Sequence, residues 1–289
     1  MAGDETGDTS LLDLPTTSRQ SWSAGALAAV LLVGCGALVP FAGSPLSELN
    51  AFFPSLDAIV FVTDLITSVL LFAQFSIYQS RSLLVLGSGY LFTALIVVPH
   101  ALTFSGAFSP TGLLGAGIQT GSWLYIFWHF GFAAALLAYA VLREENGTKS
   151  ISEASMATAI RWSVAIVCAL VCGLAWLATA GSVFLPAIIL DKTHISPSTS
   201  YYVAFVILIS AAALTVLWVR HRSSVLDQWL MVELWPSFWN SYSAACFPPS
   251  VSVLAFMPHA GFRSLPQPSY WSFCLQRRQD CTRASLAPI

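Results

Sequence analysis

Three ionisable side chains lie within long apolar stretches and are the residues most able to carry chemistry: Asp64, His100 and His129. A carboxyl group and two imidazoles that meet between helices could bind a cation or a small polar ligand, or could titrate as a pH sensor. Three aromatic residues accompany the second histidine, namely Trp123, Tyr125 and Trp128. Separate structural roles are also compatible with the sequence, because histidines anchor helix ends or bond to neighbouring helices, and aromatic residues form interfacial belts.

These side chains have to be positioned by helices that cross a membrane. Of the 289 residues, 56% are hydrophobic and 9% are charged, whereas about 25% of the residues of soluble domains are charged. A soluble fold could not bury so many apolar side chains, so lipid must surround much of the chain. The net charge of −2 offers no basic surface for nucleic acid. We therefore expect the lipid bilayer as the main partner and no nucleic acid.

Six stretches are long and apolar enough to cross the roughly 30 Å hydrocarbon core as helices. They are continuously apolar, which distinguishes them from the alternating strands of a membrane β-barrel. The sequence therefore predicts an all-α, polytopic transmembrane helical bundle. The predicted spans are approximately Trp22 to Phe41, Leu56 to Tyr78, Leu83 to Phe104, Trp123 to Leu142, Trp162 to Leu185 and Tyr201 to Val219. A truncated seventh span begins near Val225 and stops after about three turns.

The distribution of basic residues predicts the orientation of the spans. Seven basic residues lie on the side of the N-terminus, and only Lys192 lies in the opposite connections. The seven are Arg19, Arg81, Arg143, Lys149, Arg161, Arg220 and Arg222. Because basic connections stay in the cytoplasm, the N-terminus is predicted to be cytoplasmic. At 1.5 Å per residue, Asp64, His129 and His100 then lie roughly 12, 9 and 6 Å from the outer ends of their helices, which places all three in the outer leaflet.

Further features are open to more than one interpretation. The connection Ser105 to Ser122 is rich in small residues and nearly uncharged. It either forms a plain extracytoplasmic loop or dips back into the bundle as a lid over Asp64. Gln74 is expected to bond to another helix. Cys168 and Cys172 are one turn apart without a nearby histidine or acidic partner, so we expect packing roles. No catalytic residue, metal or cofactor is predicted.

The chain divides into three parts by composition. Residues 1–20 lack the basic start of a secretory signal, so they are expected to form a cytoplasmic tail. Residues 21–234 contain the predicted spans, whereas residues 235–289 lose the helical period and hold seven of the fifteen prolines. Ten arginines against two lysines suggest a GC-rich gene, whose other reading frames encode Pro, Ser, Arg and Ala. Either a frameshift near Glu233 to Trp235 or a native, disordered tail would explain the last segment.

Between Phe53 and Arg143 the sequence resembles the type-four family of bacterial membrane-associated sensor domains, the MASE group, which precede diguanylate cyclase or histidine kinase domains. The resemblance lies in the residues and the order of several short stretches. These are Asp64–Thr67, Leu70–Phe75, Gly89–Leu95, His100–Phe104, Gly106–Phe108, Gly112–Gly117, Gln119–Thr120, Trp123–Tyr125 and Phe127–His129. Together they span about a third of the 289 residues.

The resemblance implies a bundle of about eight spans that detects a signal and passes it to a cytoplasmic cyclase or kinase. We assign residues 21–234 to this sensor domain, and the sequence departs from the eight-span plan after Leu234. No cyclase or kinase residues are present, so we expect no enzymatic activity of the chain itself. It also implies a multi-pass protein of the bacterial inner (plasma) membrane, with a homodimer and a cytoplasmic signalling partner as further expectations. A small polytopic transporter or permease is the alternative, although the first three spans and the next three show no repeat.

Overall fold

Five long helices form the body of the protein. The computed structural model describes residues 52–143, 153–191, 194–196, 199–221 and 226–234, together with six isolated positions between Trp22 and Val33. The long helices are α1 (Phe52–Tyr78), α2 (Arg81–Leu102), α3 (Thr120–Leu142), α4 (Glu153–Ala178) and α5 (Thr199–His221). Residues 226–234 form a further short helix, α6. Between α4 and α5 lie a 3-10 turn, Ser182–Phe184, and two short antiparallel strands, β1 (Ile189–Asp191) and β2 (His194–Ile195).

All five long helices can cross a membrane by length and composition. Their apolar segments are Pro54–Tyr78, Arg81–Leu102, Thr120–Leu142, Ser155–Ala178 and Thr199–Val219. They correspond to the second to sixth predicted spans, so the prediction of a helical, multi-span membrane protein is confirmed at this level. The first predicted span, Trp22 to Phe41, lies largely outside the described residues, although its six described positions are helical. It stays a prediction, as does the seventh span, whose predicted beginning coincides with α6.

The fifth predicted span, 162–185, was misplaced. The corresponding helix is Glu153–Ala178, so it both begins and ends earlier than predicted. Arg161 interrupts the apolar run, but it does not end the helix, because a long arginine side chain can carry its charge out to water. At the other end, the N–H of Gly181 donates to the carbonyl oxygen of Trp176 (2.9 Å). This bond satisfies a terminal carbonyl and closes the helix before the 3-10 turn.

Short connections make neighbouring helices antiparallel and give the bundle two distinct ends. We call the end that carries the α1–α2 turn, the C-terminus of α3 and the N-terminus of α6 the turn end. The opposite end carries the N-terminus of α1, the C-terminus of α2 and the connection 103–119 to α3, and we call it the loop end. Helix α2 is central, since 67% of its apolar segment is buried, against 11% for α4. The outer faces of α1, α4 and α5 expose large apolar side chains, as expected of surfaces in contact with lipid.

Buried apolar side chains form one cluster toward each end of the bundle. The cluster at the turn end includes Phe75, Leu83, Leu86, Leu136, Tyr139, Leu217 and Leu230. The cluster at the loop end includes Phe92, Ile96, Trp123, Leu124, Val171 and Ile188. Both clusters contain residues of α2 and α3, so these two helices form the framework on which the others pack.

Two glycines allow α2 and α3 to approach closely. A Cβ atom added to Gly89 in α2 would lie 2.6 Å from the Cβ of Ala135 in α3. A Cβ atom added to Gly131 in α3 would overlap the ring of Phe92 in α2. Small residues at such crossings are typical of membrane helices, where close packing replaces the hydrophobic effect as the driving force. The spacing of α2 and α3 in turn fixes the distance between the polar side chains that they carry.

Candidate functional site

An ion pair between α1 and α2 lies buried at the loop end of the bundle. Nδ1 of His100 lies 2.9 Å from Oδ2 of Asp57, and both side chains are at most 9% exposed. Because an ionised carboxylate only accepts hydrogen bonds, Nδ1 of His100 carries the hydrogen and donates it. In the neutral imidazole Nε2 is then the basic nitrogen. His100 can therefore offer the lone pair of Nε2 to a ligand.

Aromatic side chains of α3 lie beside this ion pair. The ring of Trp128 is a neighbour of both imidazoles, with centroid distances of 6.0 Å to His100 and 5.0 Å to His129. Nδ1 of His129 donates to the carbonyl oxygen of Tyr125 (2.9 Å), one turn earlier in the same helix. The rings of Tyr125 and His129 are 3.9 Å apart. The two histidines also interact electrostatically, so they belong to one neighbourhood, which we call the loop-end histidine group.

Asp64 contacts the middle of α2. Its Oδ2 lies 2.5 Å from Oγ1 of Thr93, which is also 2.9 Å from the carbonyl oxygen of Tyr90. Thr93 precedes His100 by seven residues, and Asp64 follows Asp57 by seven, so the two contacts repeat at the same interval on both helices. At 1.5 Å per residue, the two contacts are about 10 Å apart along the bundle. Asp64 is thus held at a different depth from the loop-end histidine group.

Trp123 packs toward the α4–α5 connection. Its Nε1–H donates to the carbonyl oxygen of Pro186 (3.2 Å), and its ring centroid lies 5.1 Å from that of Tyr202 in α5. Close by, Oε1 of Gln119 accepts the N–H of Ile188 (2.5 Å). These bonds fasten the α4–α5 connection to the N-terminus of α3. The described contacts of Trp123 therefore stabilise the loop end of the bundle.

Two carboxyl groups join α6 to the rest of the bundle. The hydroxyl of Tyr90 in α2 donates to Oε2 of Glu233, and the hydroxyl of Tyr139 in α3 donates to Oδ1 of Asp227 (2.7 Å). Arg143 forms an ion pair with Oδ2 of Asp227, whose side chain is completely buried. Helix α6 is therefore attached to α2 in the middle of the bundle and to α3 at the turn end.

The structure brings four of the six sequence-predicted site residues together at the loop end. These are His100, Tyr125, Trp128 and His129. The other two, Asp64 and Trp123, have the separate partners described above. In the part of the chain that the structure describes, no group of three or more His, Cys, Asp or Glu side chains could hold a metal ion.

Sequence reasoning missed Asp57, although the sequence contains a signal for it. A two-residue turn joins α1 and α2, so residues at similar distances from this turn face each other. Asp57 and His100 satisfy that condition, and so do Asp64 and Thr93. The contact between Tyr90 and α6 has no comparable local signal, because it joins residues that are far apart in the chain.

Two smaller predictions differ from the structure. Oε1 of Gln74 is buried and has no hydrogen-bond partner among the described residues, so the expected bond to another helix is not seen. Cys168 and Cys172 are exposed on α4 and do not pack in the interior. Their position is explained by lipid, which accepts an apolar thiol as readily as a protein core does.

A bundle of apolar helices with ionisable groups between them is the architecture of a multi-pass integral membrane protein. Residues 47–254 match the sequence model of a family described as membrane-associated sensor, integral membrane domain (MASE4). The chain belongs to this family, which confirms the resemblance found in the sequence, and the family is one of sensor domains rather than catalytic ones. No curated protein and no solved structure matches the chain.

The range of the family match bears on the C-terminal part of the chain. The match ends at residue 254, twenty residues beyond the predicted domain boundary at Leu234. Residues 235–289 lie outside the described residues. The boundary, the predicted change of reading frame and the alternative of a disordered tail all stay predictions.

Proposed function

We propose that this chain is the sensory input domain of a bacterial inner-membrane signalling protein. It detects a signal at the loop end of the bundle and passes it to a cytoplasmic diguanylate cyclase or histidine kinase. Membership of the sensor family supports the sensory part of this proposal. The observation that carries the assignment of a site is the buried Asp57–His100 pair beside Trp128 and His129.

The proposed topology has six spans, the beginning of a seventh and a cytoplasmic N-terminus. The five described membrane helices support a multi-span arrangement, and Arg81 and Arg143 lie at the turn end. Lys192 follows β1 in the sequence, within the connection between α4 and α5. In this topology the turn end faces the cytoplasm and the loop end faces outward. Accessibility tags at positions 143 and 192 should therefore report opposite sides of the membrane, and tags on one side would contradict the topology.

The proposed signal is one that imidazole chemistry recognises. Both histidines use Nδ1 for a hydrogen bond, which leaves Nε2 as the basic nitrogen in the neutral form. A proton, a cation or a small polar ligand that engages Nε2 of His100 would change the charge balance of its pair with Asp57. A change of charge in a buried pair costs free energy unless the surrounding helices rearrange. This rearrangement of the helices is the proposed response of the domain to its signal.

A fusion of the full chain to a reporter cyclase tests the proposal. Cells with the fusion are exposed to a series of pH values and to candidate cations and small polar ligands, and cyclic dinucleotide output is measured. We expect His100→Ala and His129→Ala to abolish the response, while His221→Ala, the same substitution at the turn end, retains it. A response that survives both loop-end substitutions would refute the assigned site.

The same variants discriminate a sensor from a transporter. The purified protein is reconstituted into vesicles, and uptake of the ligand that stimulates the reporter is measured. Flux that depends on this ligand and is lost with His100→Ala would identify a transporter or permease. Signalling without flux is the outcome expected of a sensor.

A further inference from the structure

Polar side chains from three helices meet near the middle of the membrane-spanning region. They are Asp64 of α1, Thr93 and Tyr90 of α2, and Glu233 of α6. Tyr90 lies about 13 Å from the N-terminus of α2 and about 18 Å from its C-terminus along the helix axis. Thr93 and Tyr90 are buried, and Asp64 is half-buried. This depth is where ionised side chains are least stable.

The hydrogen atoms available at Thr93 favour a protonated Asp64. The hydroxyl of Thr93 has one hydrogen to donate, and its oxygen lies within hydrogen-bond distance of two acceptors, Oδ2 of Asp64 (2.5 Å) and the carbonyl oxygen of Tyr90 (2.9 Å). With an ionised Asp64 the two acceptors share that hydrogen in a three-centre bond. With a protonated Asp64 each of the two contacts has a hydrogen of its own.

The charges around Asp64 lead to the same state. Among the described residues, the carboxyl group of Asp57 is bonded to His100 and that of Asp227 forms an ion pair with Arg143. Asp64 takes part in neither pair. A carboxylate at this depth without a cation is unfavourable, whereas the neutral acid is readily accommodated by a hydroxyl partner.

The remaining titratable groups around this position are acidic or phenolic. Glu233 of α6 interacts electrostatically with Asp64. Tyr139 of α3 interacts with Tyr90, and Arg143, which directly follows α3, is paired with Asp227 at the turn end. When Glu233 is ionised, ionisation of Asp64 places a second negative charge close to it. Repulsion between two nearby carboxylates favours retention of a proton.

We propose that Asp64, held by Thr93, is a proton-binding site within the membrane that controls how α6 is docked. Asp64 carries the proton while Glu233 is bonded to Tyr90. When the proton passes to water, the negative charge left on Asp64 repels Glu233 and weakens the contact of α6 with α2. This inference names the proton as a ligand of the proposed sensory domain and rests on the proposed function only for its effect on signalling.

Infrared spectroscopy of the purified full chain tests proton binding directly, because protonated carboxyl groups have a separate C=O stretching band. Spectra are recorded over a pH series in lipid nanodiscs. We expect a protonated carboxyl band at neutral pH that is lost at high pH and is absent from Asp64→Asn at neutral pH, where the exposed carboxyl groups are ionised. Asp57→Asn is the matched control and should retain the band, since the carboxylate of Asp57 is paired with His100. Absence of the band in the wild-type chain, or its persistence in Asp64→Asn, would overturn the proposal.

Variants of the neighbours keep the test decisive if Asp64→Asn does not fold. Thr93→Val removes the hydroxyl and should shift the frequency of the C=O band, whereas Thr93→Ser should restore it. Glu233→Gln removes the neighbouring charge and should move the titration of the band to lower pH. Tyr90→Phe should release α6 and raise the rate of amide hydrogen exchange in residues 226–234. Tyr201→Phe, at an exposed tyrosine of α5, is the control.

Two further outcomes separate this inference from the proposed function and from cation binding. A band that responds to sodium at constant pH, with no response to pH, would overturn the proton site in favour of a cation site. A pH-dependent band from Asp64 together with a reporter that never responds to any stimulus would support the proton site and contradict the sensory function.

Discussion

The close approach of α2 and α3 at Gly89 can be tested by adding a single methyl group. In Gly89→Ala the new Cβ would lie 2.6 Å from the Cβ of Ala135, whereas contacting carbon atoms prefer about 3.5–4.0 Å. The helices must therefore separate by about 1 Å, and overpacking of this kind costs about 1–3 kcal/mol. The higher helix propensity of alanine returns up to about 1 kcal/mol. We expect a net loss of about 1–2 kcal/mol in the free energy of unfolding.

Unfolding of the purified chain by a titration of dodecyl sulfate in mixed micelles, followed by circular dichroism, measures this loss. Gly173→Ala in α4 is the matched control, because a Cβ there would meet no atom within 4 Å. A second substitution, Ala135→Gly, should restore stability in the Gly89→Ala background, since it removes the methyl group on the opposite helix. Equal stability of Gly89→Ala and Gly173→Ala, or no recovery in the double variant, would refute the packing argument.

Two further predictions concern the buried ion pairs. His100→Ala leaves the Asp57 carboxylate buried without its partner and should lower the free energy of unfolding by about 3 kcal/mol. In a double-mutant cycle, the added Asp57→Ala should recover part of this loss. Strictly additive losses would mean that the pair is not coupled. Arg143→Gln should raise the rate of amide hydrogen exchange in residues 226–234, because Asp227 loses its cation. Arg161→Gln, an exposed arginine of α4, is the control, and an equal rise in both variants would contradict the proposed attachment of α6.

The positions of the membrane helices were predictable because one property, apolar length, determines them. Four of the predicted spans end within a few residues of the observed helix termini, since both the bilayer thickness and the rise of a helix are fixed. The fifth was wrong because hydropathy treats Arg161 as a boundary, while the backbone continues as a helix for two turns before it. Hydropathy locates the apolar segment of a helix, whereas hydrogen bonding determines where the helix ends.

The site was predictable only in part, because depth along a helix does not give the direction in which a side chain points. His100, Trp128 and His129 share both depth and direction, and the structure places their rings next to one another. Trp123 shares the depth but lies on the part of α3 that faces α5 and the α4–α5 connection. Asp64 was assigned to the histidines because all three were predicted to lie in the outer leaflet. Its partner is an uncharged threonine, Thr93, and depth along a helix does not indicate such a contact.

The polar contacts of α2 lie along one face of that helix, and this arrangement has a mechanical consequence. Tyr90, Thr93 and His100 are separated by three and seven residues, spacings that place side chains on the same side of a helix. Through them α2 is bonded to Glu233 of α6, to Asp64 of α1 and to the ion pair at the loop end. Helix α2 runs without a break from Arg81 to Leu102, although Pro99 lacks the N–H that would bond to the preceding turn. A change at His100 that rotates the whole of α2 or moves it along its axis also displaces Tyr90. Because the flanking helices must adjust at both positions together, events at the loop end and the docking of α6 are linked through a single structural element.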